Sequence, residues 1–437
     1  MYADRINKKT LESSFLRPFI TAILGPRRVG KSLFVHHYAK NHPELIWVFL
    51  NMDDMSQRVR VEKQELEALI IEGAKQQIGG KNKVWVVVDE AQKCPLIFDQ
   101  VKILYDNFKN SDKIKFILTG SAVLSLHQLS AESLAGRIEL HHLQEFTLRE
   151  STLFNEPETL KFSLFDQMSK DEPPQQIGEL IHKLKPFKPI LEDVLQQQLL
   201  WSGLPELKSC QHNEEKIIYL NNYIQTYLEK DVRAIESITN LTLYRNLMSI
   251  IAEQTGSVRE DTRIVNALGC TRDTLKKYRG FLEATLLYQD IYPYIGSTIK
   301  RFVKSPKGYL RNNGLVSVLT GLVEYKTLAS SGLIGHRFEN WFLNELRVWL
   351  ARDPMRSEIY FWRLESGAEV DFIVEKKPFV YPFEVAYNNA PDIKKMRNLS
   401  KFLTEEPRAK WGYYIYRGDF SIDKERRICF IPAWAVG

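Results

Sequence analysis

The sequence predicts an α/β protein: a parallel sheet between helices at the N-terminus, a helical middle, and a second mixed α/β unit at the C-terminus. Three observations carry that expectation. Over the first 150 residues, short and nearly continuous apolar runs alternate with helical stretches, the order of a parallel sheet buried on both faces. Of the 437 residues 44% are hydrophobic and 26% charged, ordinary globular usage that excludes a disordered or fibrous chain. From Gly335 onward a helical pattern is again followed by strand patterns.

The strand candidates of the first part are Phe19–Leu24, Ile46–Leu50, Val84–Val88 and Ile114–Leu118, and the helices between them Lys31–Lys40, Glu62–Gln76 and Ile97–Phe108. Asn155–Pro189 is polar, carries Pro157, Pro173, Pro174, Pro186 and Pro189, and reads as an insertion or connector. Helices are expected over Ile190–Trp201 and Glu214–Ile235, followed by three short helical pieces within Leu241–Leu287 and a basic strip punctuated by Pro and Gly up to Arg311. The last part reads as a helix, His336–Ala351, then strands Ile359–Arg363, Val370–Glu375 and Val380–Ala386. The length suits two to four domains, and these shifts of pattern place boundaries at 1–150, 151–235, 236–311 and 312–437.

No apolar run approaches the ~18 residues of a membrane span, and the first ten residues, MYADRINKKT, lack a signal-peptide core. Cys94, Cys210, Cys270 and Cys429 form no CxxC pair, so neither a disulfide framework nor a zinc ribbon is expected. These features point to a reducing cytoplasm and no membrane partner. Net charge is +6, and the segment from Val258 to Arg311, with eleven Lys and Arg against five acids, accounts for all of it. Charge localised in this way suits a polyanion.

Gly25-Pro26-Arg27-Arg28-Val29-Gly30-Lys31-Ser32 satisfies GxxxxGK[ST] and lies between a strand candidate and a helix candidate, the context this motif requires. Its glycines let backbone N–H groups wrap a triphosphate at a helix N-terminus. Lys31 would reach the β- and γ-phosphates, and the Ser32 hydroxyl would ligate Mg²⁺, making ATP with Mg²⁺ the expected ligand. The run Val84–Val88 ends in Asp89 and Glu90. Asp89 would hold the Mg²⁺ shell, and Glu90 would orient or deprotonate the attacking water. In Ile117–Ser121 either Thr119 or Ser121 could contact the γ-phosphate or the water, or Ser121 could cap an ordinary strand-to-helix turn.

The third short helix, Thr271–Leu282, follows the turn Gly269-Cys270 after Thr262–Leu268, giving helix-turn-helix proportions together with Tyr244–Glu253. Leu275, Tyr278 and Leu282 share one face of it and Arg272, Lys276 and Arg279 another, as a helix docking on phosphates needs. The strip Lys300–Lys307, with Lys300, Arg301 and Lys304 as DNA contacts, would form a wing. Nothing suggests a base-reading code, so DNA binding independent of sequence is expected, with a solvated structural or protein-contact module as the alternative.

In order along nearly the whole chain, GPRRVGKS, VVVDEAQK, ILTGSA, SLAGR with Leu143–Glu150, SGLPEL (Ser202–Leu207), Pro306–Tyr309 and Gly335–Leu346 resemble bacterial and archaeal AAA-type P-loop ATPases with a C-terminal DUF4143-like region, the AAA_14 plus DUF4143 arrangement. The resemblance implies an AAA-like ATPase core, a helical lid, a winged helix and a restriction-endonuclease-like C-terminal fold. It also implies a homo-oligomer and makes Arg137, in Leu134–Arg137, a candidate arginine finger. Glu339, Asp371 and Glu384 resemble the carboxylates of a PD-(D/E)xK nuclease core, a possible vestigial metal site, but Ala386 stands at the lysine position. Lys376, Lys377, Lys394 or Lys395 could supply a displaced amine; a degenerate domain kept for DNA contact or assembly is the simpler reading. The expected function is ATP-driven DNA processing, with a nucleotide-gated switch acting through protein partners or a metal-dependent nuclease as alternatives.

Overall fold

The computed structural model describes residues 3–75, 78, 82–120, 134–152, 159, 163–168, 172–227, 240–295, 304–353 and 357–437. They form two compact units: residues 1–144 with 284–286, and residues 145–283 with 287–437.

The first unit is built on five parallel strands, β1 (Ile20–Leu24), β2 (Ile46–Asn51), β3 (Val84–Asp89), β4 (Ile114–Gly120) and β5 (Ile138–His142), in the order β2-β3-β4-β1-β5. Every residue of β1 and β4, and all of β3 but its last, is buried, which explains why these strands read as continuous apolar runs. Ile20, Ala22, Leu24, Val84, Val86, Val88, Phe116 and Leu118 form the core with Ile97, Phe98, Val101 and Leu104 of a covering helix, Ile97–Phe108. Each such Val, Leu, Ile or Phe side chain contributes ~1.5–3 kcal/mol on burial.

The expected helix Glu62–Gln76 is instead two, Met55–Glu62 and Leu66–Ala74, broken where Gln64 takes a positive φ of 64°. The sequence reading also missed β5, whose residues Ile-Glu-Leu-His-His lie mostly half-buried at the sheet edge and carry no apolar run. It missed the helix Lys8–Leu16 as well. The buried Lys115 ammonium donates to the carbonyls of Ser14 and Arg17, 2.9 Å each, at the end of that helix. It thereby satisfies acceptors that a helix C-terminus leaves open.

In the second unit Pro173–Leu184 is a helix, where the sequence reading expected a connector, and Lys188–Trp201 is another. The prolines begin these helices: at the first turn proline lacks only an N–H that would have no partner there. The expected helix Glu214–Ile235 is described as Asn213–Tyr227, and its remainder lies outside the described residues.

Next come α1 (Leu241–Glu253), β6 (Ser257–Val258), α2 (Asp261–Leu268), α3 (Arg272–Ala284), β7 (Tyr288–Pro293) and β8 (Lys307–Leu310). Strand β8 pairs antiparallel with both β6 and β7. Beyond them follow α4 (Ile334–Leu350), β9 (Glu358–Arg363), β10 (Glu369–Lys376), β11 (Phe379–Val385), α5 (Ile393–Glu405), β12 (Gly412–Tyr416), β13 (Ser421–Asp423) and β14 (Ile428–Pro432). Parallel pairing of β7 with β9, at Tyr292↔Tyr360 and Pro293↔Phe361, joins everything into one nine-stranded mixed sheet. That pairing spans the expected boundary at residue 311, which no local pattern could reveal.

Candidate functional site

At the C-terminal end of β1 the chain turns through Gly25–Gly30 into the helix Lys31–Asn41. Two glycines make the turn possible. A Cβ on Gly25 would lie 2.0 Å from the Leu143 carbonyl oxygen, and Gly30, at the helix N-cap, has φ +92°. Lys31 is 5% exposed and its ammonium donates to the carbonyls of Gly25 (3.1 Å) and Pro26 (2.9 Å). Burial lowers its pKa to about 8, against the opposing pull of Glu90 and Asp89.

Strand β4 lies between β1 and β3, so the ends of all three strands meet beside this turn. The Ser32 hydroxyl lies 2.7 and 2.8 Å from the two carboxylate oxygens of Asp89, and the Thr119 hydroxyl donates to the same carboxylate. Glu90, the next residue, has a left-handed φ of 52° and accepts a 2.6 Å hydrogen bond from the Gln92 amide. A non-glycine residue held in that region costs of order 1 kcal/mol or more and is typical of functional turns. The junction thus brings Lys31, Ser32, Asp89, Glu90 and Thr119 together. Ser121 lies outside the described residues. Arg27 is half-buried and Arg28 exposed, the latter at φ 62°.

Arg137 is not part of this junction. It precedes β5, where its carbonyl accepts from the Ile20 N–H at the N-terminal end of β1. The loop leaves the opposite end of β1, five residues or ~16 Å away at the rise of an extended strand. The guanidinium forms a bidentate pair with Asp106, at 2.8 and 2.9 Å.

On α3 of the second unit, Leu275, Tyr278 and Leu282 are buried as the periodicity requires, and Arg272, Lys276 and Lys277 are exposed. Arg279 corrects the sequence reading. It is 3% exposed and donates to both carboxylate oxygens of Asp261 on α2, at 2.7 and 3.1 Å. Arg259 holds the same carboxylate and also pairs with Asp290. Helical periodicity aligns Arg279 with Arg272, but Asp261 at the start of α2 pairs with Arg279, which therefore belongs to an internal network. A groove of about 1090 Å³ runs past these residues, lined among others by Arg263, Arg272, Lys276 and Ser305. Lys304 is exposed, and Lys300 and Arg301 lie outside the described residues.

Asp371, Glu384 and Glu339 lie around two lysines. Asp371 sits where the β10–β9 register shifts, a bulge that re-aims its side chain. Its carboxylate accepts from the Val385 N–H (2.9 Å) and from the Lys395 ammonium (3.2 Å), which also lies 2.5 Å from Glu384. Of the four lysines considered, Lys395 on α5 is the one that arrives. Lys376 lies over the Trp349 ring, and Lys377 and Lys394 are exposed.

A second cation arrives from β8: Lys307, expected from the sequence as the end of a phosphate-contacting wing, faces inward among carboxylates instead. It is 4% exposed, pairs with Glu369, and lies 3.7 Å from Asp371 and 3.9 Å from Glu339. Burial would raise the Asp371 pKa, but Lys395, Lys307 and the Val385 N–H hold it below the usual value. Burial and the Asp371 charge push Glu339 to about 7. Ala386 is buried in an apolar cluster with Leu399, Phe402 and Tyr414. Among the described residues no group of three or more His, Cys, Asp or Glu side chains is arranged to hold a metal ion. No described helix is long and apolar enough to cross a membrane.

Residues 17–152 match the AAA_14 family, an AAA domain, and residues 334–436 match DUF4143, a domain of unknown function. Residues 192–326 match a further domain of unknown function, DUF8612. The chain is 24% identical over 423 residues to the uncharacterized protein Rv2008c of Mycobacterium tuberculosis, covering 97% of this chain and 82% of that protein. It is 24% identical over 450 residues to the uncharacterized protein MJ1544 of Methanocaldococcus jannaschii, covering 98% and 90%. Among solved structures it is similar to the Walker-type ATPase paby2304 of Pyrococcus abyssi, with 17% identity, 73% of this chain and 96% of that one covered, and a TM-score of 0.45. It is also similar to the Aeropyrum pernix ORC2 protein in its ADP form, with 12% identity, 75% and 96% covered, and a TM-score of 0.35. The chain thus carries an N-terminal AAA-type P-loop ATPase domain and a C-terminal DUF4143 domain.

Proposed function

We propose that this chain binds Mg²⁺–ATP at the Gly25–Ser32 turn, hydrolyses it, and couples turnover to work on DNA. The observation that carries the reading is the junction of Ser32, Asp89 and Thr119 beside the buried Lys31. The Ser32 hydroxyl and Asp89 carboxylate form an all-oxygen donor pair suited to Mg²⁺, which on binding would draw charge from the phosphate oxygens. Lys31 would exchange its loop carbonyls for β- and γ-phosphate oxygens. Glu90, held by Gln92, would orient the attacking water and take its proton.

The exposed Arg272, Lys276 and Lys304 support a phosphate-contacting surface on a winged helix formed by α1–α3 and β6–β8. Arg137, at the opposite end of β1 from the Gly25–Gly30 turn, would serve as an arginine finger only toward a neighbouring subunit of a homo-oligomer. The test is ATP turnover with linear, forked and four-way DNA, alongside mass measurement with and without nucleotide. DNA should raise turnover, and Lys31→Ala should abolish it. Turnover indifferent to every DNA offered, combined with nucleotide-dependent assembly, would replace the DNA reading with a nucleotide-gated switch.

A further inference from the structure

In the DUF4143 region Asp371, Glu384, Glu339 and Glu369 gather around two lysine ammonium groups. Asp371 and Glu384, 4% and 2% exposed, come from adjacent strands, and Glu339 approaches from α4. Four carboxylates counting Glu369 would demand a strong positive charge if buried without one. Two lysines from elements outside the β10–β11 hairpin supply it. The Lys395 ammonium bridges Glu384 (2.5 Å) and Asp371 (3.2 Å) and donates to the Val385 carbonyl (3.2 Å). Lys307 faces Glu369, Asp371 and Glu339 from the other side, and the adjacent Tyr309 hydroxyl donates to Glu339 at 3.4 Å.

Each lysine nitrogen therefore sits among two or three carboxylates, the position a shared cation would take. Consistent with that, the described acidic groups present no metal-holding set of their own. The position where the motif lysine would stand is closed by the apolar packing around Ala386.

We propose that this centre has exchanged a divalent metal for two lysine ammonium groups and works as a metal-free ionic joint. The joint fastens β8 and α5 onto β10 and β11. Since β8 also pairs with β6 and β7, and β7 with β9, the joint and the continuous sheet make α1–α3 with β6–β8 move as one body with the C-terminal strands. The inference is independent of the ATPase reading, because none of its residues belongs to the nucleotide junction.

The experiment uses the nucleotide-free full chain and Mn²⁺ as probe. Electron paramagnetic resonance titration should detect no Mn²⁺ whose binding depends on Asp371, and EDTA or millimolar Mn²⁺ should leave the melting temperature of the second unit unmoved. Mn²⁺ that persists in Asp89→Asn but disappears in Asp371→Asn would overturn the proposal. Denaturation of Lys395→Met, Asp371→Asn and the double variant provides the second readout. A joint predicts that the losses of the two single variants do not add, because each substitution alone already breaks the Lys395–Asp371 contact, while Glu384 loses its lysine in both Lys395→Met and the double variant. Losses that simply add would refute it. Should Lys395→Met fail to fold, Lys395→Gln and Lys307→Gln enter the same cycle, and the Mn²⁺ titration of the unmodified protein decides on its own.

Discussion

Arg279 and Lys276 lie three positions apart on α3, and the structure assigns them opposite consequences. Arg279→Ala removes two charge-assisted hydrogen bonds to Asp261. Stranding a fully buried charge costs ~3–5 kcal/mol. Asp261, however, is 36% exposed in its side chain and keeps Arg259 on both oxygens, at 3.0 Å each. The cost should fall to about 2 kcal/mol; the second unit exceeds the size range for which ~2–4 °C per kcal/mol holds, so the melting temperature should drop by roughly 4 °C or slightly less.

Lys276→Ala removes an exposed charge and should leave the melting temperature unchanged within about 1–2 °C, because such surface changes stay within ~0.5 kcal/mol. If Lys276 neutralises one phosphate, its loss makes the slope of log affinity against log salt shallower by ~0.9. Between 50 and 200 mM salt the variant should then lose ~3.5-fold less affinity than the parent. Melting curves and fluorescence-anisotropy titrations with a duplex at several salt concentrations measure both quantities. An Arg279→Ala protein that melts normally but has a shallower salt slope would show that Arg279 contacts phosphate, and the internal network described above would be wrong.

Other perturbations probe the nucleotide junction. Glu90→Gln should keep ATP affinity within a few-fold while turnover falls by ~10²–10⁴, read by nucleotide binding and phosphate release; unchanged turnover would remove Glu90 from the water-activating role. The buried Lys31 has a pKa of about 8, and a bound triphosphate favours its charged form, so the complex holds a proton that the free protein gives up. Affinity for an ATP analogue should therefore fall as pH rises above about 8, by up to ~10-fold per unit, and stay flat in Lys31→Arg. Gly25→Ala drives a Cβ to 2.0 Å from the Leu143 carbonyl oxygen, so the loop must move. Nucleotide retention should be lost along with ~1–3 kcal/mol of stability in thermal melts.

Much of this protein was legible from local pattern. The strands around the phosphate-binding turn are buried on both faces, so their side chains had to be continuously apolar, and GxxxxGK[ST] carries its own backbone requirement at Gly30. Lys31, Ser32, Asp89 and Glu90, singled out by side-chain type and spacing, lie together because adjacent parallel strands deliver their ends to one edge. Tertiary structure alone decided the fate of Arg279, the use of Lys395 rather than its neighbours, and the arrival of Lys307 from β8. It also decided the continuity of the nine-stranded sheet. Periodicity says which residues share a face, but whether a charged face meets solvent, an acid or another strand depends on partners distant in sequence. Local composition carries no record of those partners.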